Sequence, residues 1–181
     1  MILGYSILGH DNGYFMLGKA DLPECARYMD VYRINKVNLQ KEFHNIKRNL
    51  SYTYDGFAIV TEKFREFCEK GGYGGLEFVA LSGSQPYFWF KIHTVVEFDP
   101  VRKQTRFEEF NAKCNGYAEI IGADPVLLKN NPVLADGFYR TDLCFGSDSR
   151  KSPAYCVGVE TRRKLLAAGF KEIVFDEILD E

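Results

Sequence analysis

Ala58-Ile-Val-Thr-Glu-Lys-Phe-Arg-Glu-Phe-Cys-Glu-Lys-Gly-Gly-Tyr-Gly-Gly-Leu-Glu-Phe-Val-Ala-Leu81 is the stretch whose reading decides the fold. A short β-branched run enters a charged turn. About ten residues with helical spacing follow, with Phe64, Phe67 and Cys68 on one face, then glycines, an aromatic and a second apolar run. Thr61 is placed to accept free amides as an N-cap, with Glu62 in the first turn. Gly71 stands where a helix needs a left-handed C-terminal residue.

A degraded second copy closes the chain. Val157-Gly-Val-Glu160 aligns with Ile59-Val-Thr-Glu62, and Leu165-Leu-Ala-Ala-Gly169 with Phe67-Cys-Glu-Lys-Gly71. After one extra Gly in the first copy, Ile173-Val-Phe175 aligns with Leu76-Glu-Phe78. Val159 cannot cap as Thr61 does, so the second helix starts less well. The expectation is an α+β fold, a largely antiparallel sheet flanked by two repeated strand-helix-strand units. It forms one domain over residues 1–181, with the internal repeat at 57–81 and 155–178. Phe67 and Leu165 are expected at matching core positions on one sheet.

With 46% apolar residues, 181 residues bury a sizeable core. Basic and acidic residues nearly balance, 23 against 25, which leaves no electrostatic footprint for unspecific nucleic-acid or membrane binding. Five cysteines, Cys25, Cys68, Cys114, Cys144 and Cys156, are odd in number and never two or three apart. They read as reduced, buried thiols of a cytoplasmic protein. The start, MILGYSILGHDNG, lacks a basic segment and breaks at Gly9-His10-Asp11, so it reads as a first strand, not a signal peptide. No apolar run reaches the ~18 residues of a membrane span.

Residues 1–20 predict a hairpin around the Asn12-Gly13 pair. Pro23 to Met29 predicts a helical turn; Leu39, Phe43, Ile46 and Leu50 fall at helical intervals with Lys41, Lys47 and Arg48 between them. Tyr87 to Phe98 is the longest strand-like run. It places Phe88, Phe90, Ile92, Thr94 and Val96 on a core face, with Tyr87, Trp89, Lys91, His93 and Val95 on the other. Thr105 to Phe110 is expected to pair back antiparallel, and Tyr117 to Ile121 to add a strand. Gly122 to Gly137 is a long packed connection. Phe138 to Phe145 is a strand ending at Gly146, and the tail from Asp176 is an acidic, solvated end.

Gly71-Gly-Tyr-Gly-Gly75 follows a helix and precedes a strand, the wrong polarity for a phosphate cradle. His10, His44 and His93 are isolated, and Cys114-Asn-Gly116 offers one thiol where a metal site uses a pair; no metal and no cofactor is expected. None of the thiols has an activating sequence around it. His93 is the best general-base candidate, yet Glu97 lies on the opposite strand face, and Asp99 beyond it.

Tyr54-Asp-Gly-Phe-Ala-Ile-Val-Thr-Glu-Lys-Phe-Arg-Glu-Phe, Gly75-Leu-Glu-Phe-Val-Ala-Leu and a Tyr/Phe-rich strand ending in Val-Glu-Phe-Asp99 resemble the bacterial polymorphic-toxin immunity proteins. Asp136-Gly-Phe-Tyr-Arg140, Val157-Gly-Val-Glu160 and Gly169-Phe-Lys-Glu-Ile-Val-Phe175 add to the resemblance, which covers residues 52 to 181. It implies a small cytoplasmic protein, not an enzyme, that binds a cognate secreted toxin domain and blocks it. One branch carries paired Cys-x-x-Cys-Gly motifs, which this chain lacks, so metal binding is not carried over. The partner-binding residues expected on the long strand are Tyr87, Trp89, Lys91 and His93, because aromatic rings with polar tips beside cations concentrate binding energy in interfaces. The competing readings are a helix of the same chain covering that face, a small-ligand module with a pocket between the repeat halves, and an enzyme centred on His93.

Overall fold

The computed structural model describes residues 1–17, 22–34, 43, 46–83 and 85–180. In chain order these form β1 (Ile2–Leu8), β2 (Leu50–Tyr52), β3 (Ala58–Thr61), α1 (Glu62–Lys70), β4 (Leu76–Ala80), β5 (Tyr87–Ile92) and β6 (Val95–Val96). Then come α2 (Pro100–Lys103), β7 (Arg106–Asn111), β8 (Gly116–Ile121), β9 (Phe138–Ser147), β10 (Ser152–Val157), α3 (Val159–Ala167) and β11 (Val174–Leu179). The class is α+β and the pairing almost wholly antiparallel. There are two sheets, however, not one. The smaller runs β2-β3-β5-β4, and the larger β11-β1-β10-β9-β8-β7 with the short β6 parallel on β9.

Each strand-helix-strand crossover leaves a gap that another strand fills. β3 and β4 flank β5, both antiparallel to it, while β10 and β11 flank β1 in the same way. The sequence-predicted hairpin at residues 1–20 is therefore wrong in its partner. Gly13 does turn with a positive φ of 85°, but β1 pairs with the end of the chain. The segment after it bonds to β2: the Asn12 amide donates to Tyr52 O and the Tyr52 amide to His10 O, both at 2.9 Å.

Both long helices stop with the same pair of backbone bonds. At α1 the Tyr73 amide donates to Cys68 O and the Gly72 amide to Glu69 O; at α3 the Phe170 amide donates to Leu165 O and the Gly169 amide to Leu166 O. These are Schellman ends, closed by a left-handed glycine, Gly72 (φ 67°) and Gly169 (φ 89°), and by an aromatic that folds back on the helix. The sequence alignment slips here by one residue, since Gly71 is right-handed and Cys68, not Phe67, stands opposite Leu165. Phe67 is only half-buried, whereas Leu165 is fully so. Thr61 does occupy the N-cap of α1, but its hydroxyl is diverted to Asn49 Oδ1 (2.8 Å) and makes no cap bond.

Side chains of both sheets and both long helices share one core: Phe64, Phe90, Phe138, Tyr155, Leu165 and Phe170 meet there, with Phe64 edge-on to three of the rings at 5.4 to 6.0 Å. The connection 122–137 packs under the opposite face of the large sheet through Val126, Leu128 and Leu134, the packed connection read from the sequence. Ala26–Tyr28 is the helical turn read between Pro23 and Met29. The segment from Leu39, read as an amphipathic helix or a clamped loop, lies half outside the described residues, and Leu50, its last position, opens β2. β7 pairs with β8 and not back onto the preceding strand. The long strand also breaks: β5 ends at Ile92, and Val95–Val96 crosses to the large sheet.

A buried relay of phenols fastens the two sheets. Tyr155 Oη donates to Phe90 O (2.7 Å), Tyr32 Oη lies 2.8 Å from Tyr155 Oη, and the Ile92 amide donates to Tyr32 Oη (2.8 Å). Tyr155 is thus a donor to the carbonyl, and Tyr32 donates to Tyr155. Burial pushes the Tyr32 phenol up from 10.0 to about 12 and the Tyr155 phenol well above its ordinary value. The unfolded chain gives up these protons near pH 10, the folded one only at higher pH. The stabilisation is intact below pH 10 and is lost as pH rises through 12. An alkaline titration of unfolding free energy is expected to fall across this window, and Tyr155→Phe to flatten the fall while costing about 1 to 3 kcal/mol at neutral pH by orphaning Phe90 O. An unchanged alkaline slope in that variant contradicts the relay.

Candidate functional site

The face expected to recognise a partner does not present itself as a face. Tyr87 and Trp89 are buried (2% and 5% exposed) beneath Met16, Val31, Phe43 and Phe57. The Trp89 ring packs edge-on to Phe57 at 5.0 Å. Tyr87 Oη accepts from the Ile46 amide (3.2 Å) and donates to Gln85 (2.8 Å). The chain itself covers this side of the small sheet, so Tyr87 and Trp89 are withdrawn as contact residues. Lys91 is mostly covered, its ammonium 4.7 Å above the Trp89 ring. Only His93 of the four is at the surface. Its Nε2 lies 2.8 Å from Glu77 Oε2, which Lys91 Nζ also approaches at 3.1 Å. Burial alone would raise the Glu77 carboxyl, but the bonds from Lys91 and His93 outweigh it and hold it below the usual range. Glu97, the neighbour named from sequence, pairs with Lys129 instead, at 2.9 Å. A carboxylate divided between a lysine and a histidine is a charged corner of the sheet edge.

An exposed aromatic group of three rings lies elsewhere, on the β7–β8 hairpin at one end of the large sheet. Phe107 and Phe110 both rest on Tyr117, with ring centroids at 5.2 and 5.0 Å, and Phe110 is 55% exposed. Residues three apart do not share a face of a regular strand. They do so here because Glu109 is left-handed (φ 53°) and interrupts the alternation. Ala118, the neighbour of Tyr117, points inward and is fully buried, so the three rings occupy the outer side.

The inner side is fastened to the N-terminal segment. A disulfide joins Cys25 to Cys114 in the hairpin turn. This corrects the expectation of five reduced thiols: two are paired, while Cys68, Cys144 and Cys156 are free and buried. Burial raises all three free thiols, Cys156 to about 12, so none is a thiolate nucleophile at neutral pH. Arg27 bridges Glu109 and Asp148, each at 2.8 Å, and holds the left-handed residue in place. Lys151 is 3% exposed and drives its ammonium into a cage of carbonyls, donating to Arg27 O (2.8 Å), Ala118 O (3.2 Å) and Asp148 O. One buried cation thus ties the 3₁₀ turns Ala26–Tyr28 and Asp148–Arg150 to β8.

Open cavities are also present, and one of about 400 Å³ between α1 and α3 is lined by Phe67, Lys70, Tyr73, Arg163 and Lys164. One of about 370 Å³ lies along β1, β2 and β10 and is lined by Tyr52, Tyr54, Asp124, Arg150 and Tyr155. Another of about 350 Å³ lies at the Gly71–Gly74 loop beside Asp136 and Tyr139. Its polar groups are already engaged with one another: Asp136 accepts from Thr161 (2.8 Å), Lys164 (2.5 Å) and Tyr73 (3.3 Å). Among the described residues no group of three or more His, Cys, Asp or Glu is arranged to hold a metal ion, and no helix is long and apolar enough to cross a membrane.

No family model, curated protein or solved structure matches the chain.

Proposed function

We propose that this chain is an inhibitory binding protein of the polymorphic-toxin immunity kind, acting in the cytoplasm on a cognate toxin domain. The observation that carries the reading is the aromatic trio Phe107, Phe110 and Tyr117, displayed on a hairpin that the buried Lys151 and the Arg27 ion pairs hold in place. Exposed aromatics are costly to leave in water and are the side chains in which interface energy concentrates. Rigid presentation lowers the ordering cost of binding, since the rings need not be immobilised when the partner arrives. Arg106, Glu108 and Lys113 border the rings with charges of both signs, as the polar rim of an interface does. The resemblance over residues 52 to 181 names the class of partner.

Phe110→Ala is expected to weaken binding to the toxin domain encoded beside this chain by about 2 kcal/mol, roughly thirtyfold. The ring is half in solvent, so the fold is expected to remain cooperative. Titration calorimetry with the purified toxin domain checks this, and equal affinity in the folded variant removes the hairpin from the interface.

We also infer that β3-α1-β4 and β10-α3-β11 are equivalents of one repeated unit. The support is their matched Schellman ends and the shared habit of enclosing a strand from elsewhere, β5 or β1.

A further inference from the structure

We propose that two copies of this chain pair through the outer edge of β4, joining their small sheets into one continuous antiparallel sheet. The inference stands on the sheet edges and does not depend on the toxin-binding reading.

Open edges template the pairing of another strand, and folded proteins blunt those they do not use. Among the described residues, three of the four strands that end the two sheet paths are blunted. The outside of β2 is closed by residues 10–12, through the two Tyr52 backbone bonds and the bridge from Asp11. β7 is interrupted by left-handed Glu109. β11 carries the adjacent carboxylates Asp176 and Glu177, and its register on β1 slips between Ile2 and Gly4. β4 has no such device. Its residues Leu76-Glu-Phe-Val-Ala80 keep unbroken register with β5, include no Pro, Lys or Arg, and none has a positive φ. Among the described residues no strand pairs with its other side.

The ladder fixes which groups face out. The His93 amide donates to Gly75 O (2.8 Å) and the Leu81 amide to Tyr87 O (2.9 Å), one at each end of the β4–β5 pairing. Hydrogen-bonding residues alternate along an antiparallel strand, so Glu77 and Val79 bond inward to β5. Leu76, Phe78 and Ala80 therefore turn both N–H and C=O outward. A two-fold axis at Phe78 sets Phe78 against its own copy and Leu76 against Ala80, so every outward donor meets an outward acceptor. Glu77 then faces Val79, and no like charges oppose one another. Its carboxylate is already neutralised within its own copy by Lys91. The side chains agree with this arrangement. Leu76 and Phe78 pack on the shared core and Val79 on the second, yet all three remain half-exposed. The strand that finishes covering them must be apolar on both faces, and β4 itself is such a strand. Self-complementarity of this kind is what an isologous dimer requires.

Sedimentation velocity on the whole protein over a wide concentration range, with hydrogen exchange of the β4 amides, tests the proposal. A dimer whose fraction rises with concentration is expected, with the Leu76, Phe78 and Ala80 amides protected. Ala80→Pro removes an outward N–H at an exposed position and breaks no bond to β5, so it should weaken association at least tenfold and release those amides. Ala80→Lys, which places a charge on the edge without altering the backbone, should do the same and serves if the proline variant fails to fold. A monomer at all concentrations, free exchange of these amides in the dimer, or a dimer that survives both substitutions overturns it.

Discussion

Gly158→Ala is expected to destabilise the fold by at least about 3 kcal/mol, the upper part of the overpacking range. The reason is steric. Gly158 is the N-cap of α3 with ordinary extended angles (φ −67°, ψ 161°), so alanine meets no dihedral penalty. A Cβ there would sit 1.9 Å from Ala135 O and 2.9 Å from Leu134 O, and backbone carbonyls cannot swing aside as a flexible side chain does. The approach is needed because the Gly158 amide donates to Gly137 O and Leu134 seals the core beneath the large sheet. Gly74→Ala is the control: nothing lies within 4 Å of the place its methyl would take, and a change within ~0.5 kcal/mol is expected. Chemical denaturation of both variants decides, and comparable stability of the two contradicts the close approach.

Removing the Cys25–Cys114 crosslink by the double substitution to alanine is expected to cost about 4 to 5 kcal/mol. The bond spans a sequence separation of 89 residues, and the loop-closure entropy it removes from the unfolded chain grows with the logarithm of loop length. For a chain of this size that lowers the melting temperature by roughly 10 °C or more. The same loss is expected in wild-type protein under a strong reductant. Identical melting with and without reductant contradicts the crosslink's role. The result bears on compartment as well, because a reducing cytoplasm works against such a bond. A cytoplasmic inhibitor must therefore hold its hairpin with Arg27, Lys151 and packing when the thiols are reduced.

Local chemistry was legible in the sequence wherever the signal was local. The spacing of Phe64, Phe67 and Cys68 gave α1, Gly169 gave the end of α3, and the Pro- and Asn-rich run gave the packed connection 122–137. The one-residue slip at Gly71 arose because adjacent glycines, Gly71 and Gly72, satisfy the same pattern, and only the backbone bonds tell them apart.

Pairings between distant segments were hidden. The alternation of Tyr87, Trp89, Lys91 and His93 correctly separates two strand faces, but alternation alone does not say which face is covered. The covering residues Met16, Val31, Phe43 and Phe57 are scattered along the sequence at spacings that follow no strand or helix period. The aromatic trio escaped notice for the opposite reason. Phe107 and Phe110 fall on different faces of any regular strand, and the turn of Glu109 that unites them depends on Arg27 and on a disulfide from another part of the chain. The small-ligand reading keeps a cavity of about 400 Å³ between α1 and α3, whereas Glu77 beside His93 already accepts from Lys91 of this same chain.

Inhibition of a toxin domain is the central claim, and a protection assay tests it most directly. Cells producing the toxin domain encoded beside this chain are grown with the wild-type protein, with Phe110→Ala and with no partner. Survival with wild-type protein, reduced survival at equal protein level with Phe110→Ala, and death without a partner are the predicted results. Death of cells that contain folded wild-type protein contradicts the account.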